Sequence, residues 1–340
     1  MSAYIKTIEY YLPETVLSNE SLAEQFSDWS SEKIEKKTGI RNRRIAATDE
    51  CASDLGIRAA EKIFVSGAVA QQEIDFVLFC SESPDYVLPP TACQIQDRLG
   101  IPTNAGAFDI NLGCSGFVYG IGMAQALVVS GQARNVLLIN AETYSKHINP
   151  LDKSVRTVFG DGAAATVVSA TDENRTNLKL GPFVYGTDGS GYQNLIIPAG
   201  GARHRKSDTT SIATADRFGN VRSKENLYMN GPEIFNFTIK TVPLAVDAIL
   251  KKSGLTLEDV DQVIFHQAND YMLKHLRKKI GIPEDKFYVN LKECGNTVSA
   301  SLPIALKMAA DEQAIHSGDR IMVVGFGVGY SWAAAMIEWT

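Results

Sequence analysis

The 340-residue chain predicts an α/β fold assembled from two similar halves, and three observations carry that expectation. Its strand-like stretches are continuous apolar runs, as strands covered on both faces require, rather than the alternating pattern that leaves one face in water. Helical patterns lie between those runs, the alternation that builds α/β proteins with mostly parallel sheets. The order of stretches also recurs. "IDFVLFCSESPDY" (74–86) is matched by "VDQVIFHQANDY" (260–271), and each is followed by a small-residue turn, a long helix, an "SG" stop and another apolar strand.

In chain order, "FVLFC" (76–80) reads as a buried strand and "GFVYGIGMAQALVVSG" (116–131) as a helix with a glycine stop. "NVLLIN" (135–140) and "AATVVSA" (164–170) are further strands of the first half. In the second half "QVIFH" (262–266) and "RIMVVGFG" (320–327) are strands around a helix expected over 299–318, where Pro303 sits near the start and is tolerated. Between the halves, 186–228 is rich in Gly, Ser, Thr and charge and reads as a surface cap. The expected division is 1–172 and 173–340, with the cap inside the second part. Two such halves pack about a pseudo-twofold axis, and a site at their junction draws on loops from both.

Composition narrows the function. Hydrophobic content of 45% and charged content of 21% are those of an ordinary globular protein. A net charge of −6 gives no electrostatic support to a nucleic-acid role. No apolar run is long enough for a bilayer, and the start, "MSAYIKTIEYYLPE", lacks a signal-peptide pattern. The cysteines (Cys51, Cys80, Cys93, Cys114 and Cys294) are odd in number and scattered, with no CxxC pair, which argues for a reducing compartment and against a zinc site. The expectation is a cytoplasmic protein without membrane or nucleic-acid partner.

Three short stretches could do chemistry. Cys114, in "FDINLGCSGFVYG", lies among small residues just before a helix, where the dipole and free N–H groups favour a thiolate and leave room for an acyl group. His266, in "FHQAND", stands at the carboxyl end of a strand, the usual place for catalysis in an α/β sheet. Asn296, in "KECGNTVSAS", stands in a tight turn at a helix start. Each alone is better served by a structural role: a buried cysteine, a solvated histidine, an N-cap. Under the duplication all three converge at the junction. A thiolate with two neutral donors suits thioester chemistry, the thiolate taking an acyl group while His and Asn polarise a second thioester carbonyl so that an enolate can form beside it.

The motifs "NLGCSGFVYG", "HQAN" (266–269) and "GNTVSAS" (295–301), supported by "TGIRNRRIA" (38–46), "PPTACQIQ" (89–96), "TVFGDGAAA" (157–165) and "GFGVGYSWAAA" (325–335), run in order across nearly the whole chain. In this the chain resembles the β-ketoacyl-ACP synthase III family of condensing enzymes. The resemblance implies a thiolase-like fold, a layered α-β-α-β-α sandwich. It implies decarboxylative Claisen condensation of an acyl thioester with malonyl-ACP, through acyl-Cys114, with His266 and Asn296 stabilising the enolate. It also implies an oxyanion hole of the Cys114 and Val328 backbone N–H groups, where the family usually has glycine at the second position. Phe159 would wall the departing carboxylate. A homodimer is implied, in which Leu88 closes the partner's acyl pocket.

No cofactor or metal is implied, since the substrates arrive on CoA or phosphopantetheine. The family's adenine-stacking tryptophan and arginine align with Lys33 and Lys153, with Trp29 one helical turn before Lys33. An arginine that docks carrier protein is replaced by Tyr271. Arg41, Arg205 of the "ARHRK" cluster, Lys274 and Arg277 join Lys33 and Lys153 as candidate contacts for CoA or the acidic acyl carrier protein. These replacements point away from acetyl-CoA and toward a longer primer or a specialised pathway.

Alternatives stay open within the fold. An acyltransferase would pass the Cys-bound acyl group to another nucleophile without decarboxylation. Thiolase needs a second cysteine that the "GFGVG" loop lacks, and a hydroxymethylglutaryl-CoA synthase needs a glutamate base, for which Glu142 is the tempting acid near a strand end. A non-catalytic partner subunit predicts loss of Cys, His or Asn, and all three are present.

Overall fold

The computed structural model describes residues 2–26, 28–171 and 179–339, so the expected boundary at 172/173 lies outside the described residues. Ten strands form the framework: β1 (Ala3–Tyr11), β2 (Phe76–Cys80), β3 (Gly106–Ile110), β4 (Asn135–Glu142) and β5 (Gly162–Ala170), then β6 (Leu180–Thr187), β7 (Gln262–Phe265), β8 (Phe287–Tyr288), β9 (Arg320–Gly327) and β10 (Ser331–Glu338). The first five form one sheet in the order β1-β5-β4-β2-β3, and the second five form another in the order β8-β7-β9-β10-β6. Read from the other edge, the second order is the first one repeated. The pairing senses match as well: β1 with β5 and β5 with β4 are antiparallel, β4 with β2 and β2 with β3 parallel, and the second sheet repeats this pair by pair. The duplication read from short stretches is therefore a duplication of topology.

The expected "mostly parallel" sheets are mixed instead. Helices carry the chain from strand to strand up to β4 and β9, and such crossovers make parallel neighbours. The last strand of each half returns without a helix long enough to cross the sheet, through the short turn joining Gly327 to Ser331 in the second half and a loop holding the single-turn helix Lys153–Arg156 in the first, and so pairs antiparallel.

Five layers result. The helix Ala52–Val65 covers the outer face of the first sheet, and Gly231–Ser253 covers that of the second. The helices Gly116–Val129 and Ser301–Asp311 lie between the sheets. The sequence of the Gly116 helix explains how it fits there. A Cβ at Gly116 would sit 2.3 Å from Cys80 Sγ, and one at Gly120 2.7 Å from Leu138 Cδ1, so only glycine lets the first sheet approach. The second central helix ends at Asp311 rather than near 318, because the backbone turns at Gln313 (φ 57°) and Ala314 N–H returns to the Ala309 carbonyl.

Residues 186–228 form the expected excursion, with the short ladders Leu195–Ile196 on Tyr228–Met229 and Thr214–Ala215 on Val221–Arg222. Among the described residues no helix is long and apolar enough to cross a membrane.

Candidate active site

Cys114 follows β3 and immediately precedes the buried Gly116 helix, with 5% of its surface exposed. Ser115 Oγ meets Ser331 Oγ at 2.6 Å, tying this corner to the second sheet. The end of β9 passes close by: a Cβ at Gly327 would lie 2.8 Å from both Cβ and Sγ of Cys114. The backbone N–H groups of Val328 and of Cys114 itself lie toward Sγ and favour its charged form. These two donors stabilise charge on sulfur, yet burial dominates and raises the thiol well above its ordinary value. The expected resting thiolate is therefore corrected. The helix terminus and N–H groups are in place, but the low-dielectric junction keeps the proton on sulfur.

His266 is the first residue beyond β7, and its N–H donates to the Val324 carbonyl at 2.8 Å. Its Nδ1 lies 2.7 Å from Ser301 Oγ, which accepts the Gln267 N–H at 3.4 Å. With the hydroxyl proton turned to Nδ1, the ring proton lies on Nε2. Burial pushes the imidazole down to about 3, so the ring is neutral.

Asn296 is pinned by its backbone, donating to the Val158 carbonyl and accepting from Gly160 N–H, both at 3.0 Å. Gly295 makes the turn at φ +73°, and a Cβ there would be 3.0 Å from the Val158 oxygen. The Asn296 side-chain oxygen accepts from Val298 N–H at 2.9 Å, which turns the amide nitrogen toward His266 Nε2, 3.4 Å away. Two donors this close have little to give each other. With the ring proton on Nε2, an acceptor placed between them would take both hydrogen bonds.

One pocket holds all of this. Cys114, His266, Asn296, Phe159 and Gly327 line it, together with Val158, Leu195, Met229, Ile234 and Met272. Leu195 comes from the cap and Met229 directly follows it, so the excursion is part of the site wall. Sequence reasoning missed these apolar residues, as it missed Ser301, although "GNTVSAS" contains that serine. It missed Glu82 too: this partly buried carboxyl lies beside Gly113, and burial pushes it up to about 7. No periodicity marks such a residue; only its loop's path does.

The other candidates are dispersed. Phe159 is buried at the pocket, its ring 5.1 Å from that of Tyr144. Leu88 does not line its own chain's pocket and is 79% exposed. Lys33 and Lys153 are brought together through Asp28, Lys33 on its carbonyl at 2.8 Å and Lys153 on its carboxylate at 2.6 Å. Trp29 stands beside them, with the ammonium groups of Lys33 and Lys37 5.4 and 4.5 Å from its ring centroid. Lys274 pairs with Asp270 and Arg277 with Glu284, while Arg41 and Arg205 are exposed. Glu142 is fully buried and does not line the pocket; Ser299 Oγ (2.7 Å) and Ser83 Oγ (3.0 Å) donate to it.

Comparison with known proteins agrees over the whole length. Residues 108–189 match the family model described as 3-oxoacyl-[acyl-carrier-protein (ACP)] synthase III, and residues 250–339 match its C-terminal counterpart. A β-ketoacyl-[acyl-carrier-protein] synthase III of Caldanaerobacter subterraneus subsp. tengcongensis is 40% identical over 330 residues, covering 97% of this chain and 96% of the relative. A crystal structure of a 3-oxoacyl-(acyl-carrier-protein) synthase III has a TM-score of 0.98 at 52% identity, covering 100% of both chains. That of a 3-oxoacyl-(acyl-carrier protein) synthase from Burkholderia xenovorans LB400 has a TM-score of 0.90 at 35% identity, covering 100% of this chain and 94% of that one. With its fold and nearly its full length in common with these proteins, the chain belongs to the β-ketoacyl-[acyl-carrier-protein] synthase III family of acyl-transferring condensing enzymes.

Proposed function

We propose that the protein condenses an acyl thioester primer with malonyl-ACP and releases carbon dioxide, giving a β-ketoacyl-ACP. The first half, 1–172, supplies the nucleophile. The second, 173–340, supplies the histidine and asparagine, and its cap at about 186–228 closes over them. Cys114 sulfur attacks the primer carbonyl, the carrier thiol leaves with the proton, and the Cys114 and Val328 N–H groups hold the oxyanion between. Malonyl-ACP then enters the emptied pocket. Its thioester carbonyl accepts from His266 Nε2 and Asn296 Nδ2, while Phe159 walls the carboxylate with apolar surface. Loss of carbon dioxide leaves an enolate, which attacks the acyl-cysteine and frees the sulfur.

The observation that carries this reading is the pair of neutral donors, 3.4 Å apart, in the same pocket as the sulfur. The steps draw on this chain's own groups and on substrates carried by CoA or phosphopantetheine, with no further cofactor. Lys33, Lys153 and Arg41, with Arg205, Lys274 and Arg277, are the basic groups available to CoA phosphates or acidic carrier protein. The reading places the enzyme in the cytoplasm as a homodimer, with Leu88 of one subunit closing the other's acyl pocket.

The test separates the two half-reactions. Wild type should release carbon dioxide from malonyl-ACP and carry an acyl mass on Cys114. His266→Ala and Asn296→Ala should still be acylated while decarboxylation falls about 100-fold or more. Acylation of Cys114 without carbon dioxide release by wild type would replace this reading with simple acyl transfer.

A further inference from the structure

Beside the nucleophile stands a polar pair that the condensation steps leave unused. The loop after β2 is pinned from below: Ser83 Oγ donates to Glu142 at 3.0 Å, and Glu82 N–H donates to it at 3.2 Å. That anchoring turns the Glu82 side chain toward the corner of Cys114. A Cβ on Gly113 would meet Glu82 Oε2 at 2.5 Å and Val328 Cγ1 at 2.8 Å, so the carboxyl and the oxyanion-hole residue press on the same glycine, one residue before the nucleophile. Tyr144 donates its hydroxyl to Glu82 Oε2 at 2.9 Å. Its ring is buried against that of Phe159. Among the described residues the other carboxyl oxygen, Oε1, has no hydrogen bond.

The location of the pair decides what it touches. Neither Glu82 nor Tyr144 lines the pocket of His266 and Asn296, which the second thioester must occupy. An acyl group already on Cys114 has to leave that pocket free, so it extends to the other side of the sulfur. Glu82, packed against Gly113 one residue before the sulfur, and Tyr144 bonded to it are the polar groups near Cys114 outside the lining of that pocket. An alkyl primer there would lay methylenes against a carboxyl and a phenol and strip their solvent without replacing it, whereas a hydroxyl can bond the open carboxyl oxygen.

We propose that Glu82 and Tyr144 form a polar wall of the primer site and select acyl groups bearing a hydroxyl close to the thioester over plain alkyl groups of the same length. This inference rests on Cys114 being the acylated residue. Because burial holds Glu82 near neutrality in its titration, its carboxyl is available as donor or acceptor at physiological pH.

The experiment measures the rate at which the Cys114 mass increases with butyryl, 2-hydroxybutyryl and 3-hydroxybutyryl thioesters, each presented on CoA and on acyl carrier protein. At least one hydroxylated primer should react about tenfold or more faster than butyryl, the scale on which a site built to bond a hydroxyl rejects its absence. In Glu82→Leu that ratio should fall below one, and in Tyr144→Phe it should shrink toward one. The ratio is taken within one preparation, so partial misfolding of a variant cancels. Butyryl reacting as fast as both hydroxylated primers, or an unchanged ratio in Glu82→Leu, overturns the inference and leaves the condensation reading standing. Failure of every thioester to label Cys114 overturns both.

Discussion

At the scale of single residues, two buried titratable groups flank one sulfur and respond to pH in opposite directions. His266 is pushed down to about 3 from 6.5 by burial. A base depressed in the folded state contributes no penalty above pH 6.5. Below it the unfolded chain gains a proton that the native ring refuses, so stability falls with pH by up to roughly 1.4 kcal/mol per unit between 6.5 and 3. The ring's Hε1 resonance should therefore stay fixed from pH 8 to pH 5; a midpoint near 6.5 would refute the neutral donor. Glu82 is raised from 4.5 to about 7, first by burial. An acid raised in the folded state costs nothing below 4.5. Stability is lost as pH climbs from 4.5 to 7, because the unfolded chain ionises first. Glu82→Gln should therefore raise the melting temperature relative to wild type at pH 8 and leave it nearly unchanged at pH 4.5. Ser301 acts through His266 rather than on substrate, by holding the proton on Nε2. Ser301→Ala should lower kcat for decarboxylation about tenfold, with the KM for malonyl-ACP and the rate of Cys114 acylation little changed.

At the scale of elements, the site is made by how closely backbones can approach. The Gly116 helix touches the first sheet through glycines, and the end of β9 touches Cys114 through Gly327. Gly327→Ala forces a methyl to 2.8 Å from Sγ, so the strand or the helix must shift. Overpacking of that kind costs roughly 1–3 kcal/mol, and it displaces the Val328 N–H beside the sulfur. The expected result is a lower melting temperature together with acylation slowed tenfold or more. Full-rate acylation would mean that this N–H is not part of the oxyanion hole. The glycines of "GFGVG" are legible in the sequence as a small-residue run; that Gly327 faces sulfur 114 is not, because more than two hundred residues separate them.

At the scale of the whole molecule, one surface is unfinished. β3 is an edge strand with a neighbour only on the β2 side. In the loop between β2 and β3, Tyr86, Val87 and Leu88 are exposed at 61%, 100% and 79%. An exposed apolar run and an open strand edge are each a kind of surface that another chain covers. A second copy of this chain would cover both, in keeping with the proposed homodimer. Val87→Asp combined with Leu88→Asp should shift the sedimentation coefficient from dimer to monomer and broaden the range of primers that label Cys114. A wild-type protein that sediments as a monomer would sink the placement of Leu88 in a partner's pocket.

By itself the sequence determined five of the ten strands, the duplication, the central helices and the motifs carrying Cys114, His266 and Asn296. All of these are written in local runs of apolar and small residues, and local runs report directly on burial. Only the tertiary structure decided that the last strand of each half returns antiparallel, since an apolar run says that a strand is covered and not which neighbour it meets. The fold alone also set the protonation of the site. The thiol of Cys114 is raised and His266 is lowered by desolvation from residues scattered across both halves, whereas the helix start beside Cys114, visible in the sequence, argues the opposite way and loses. Glu82 became part of the picture for the same reason: a carboxyl in a loop is ordinary until the fold takes water away from it and sets it next to sulfur.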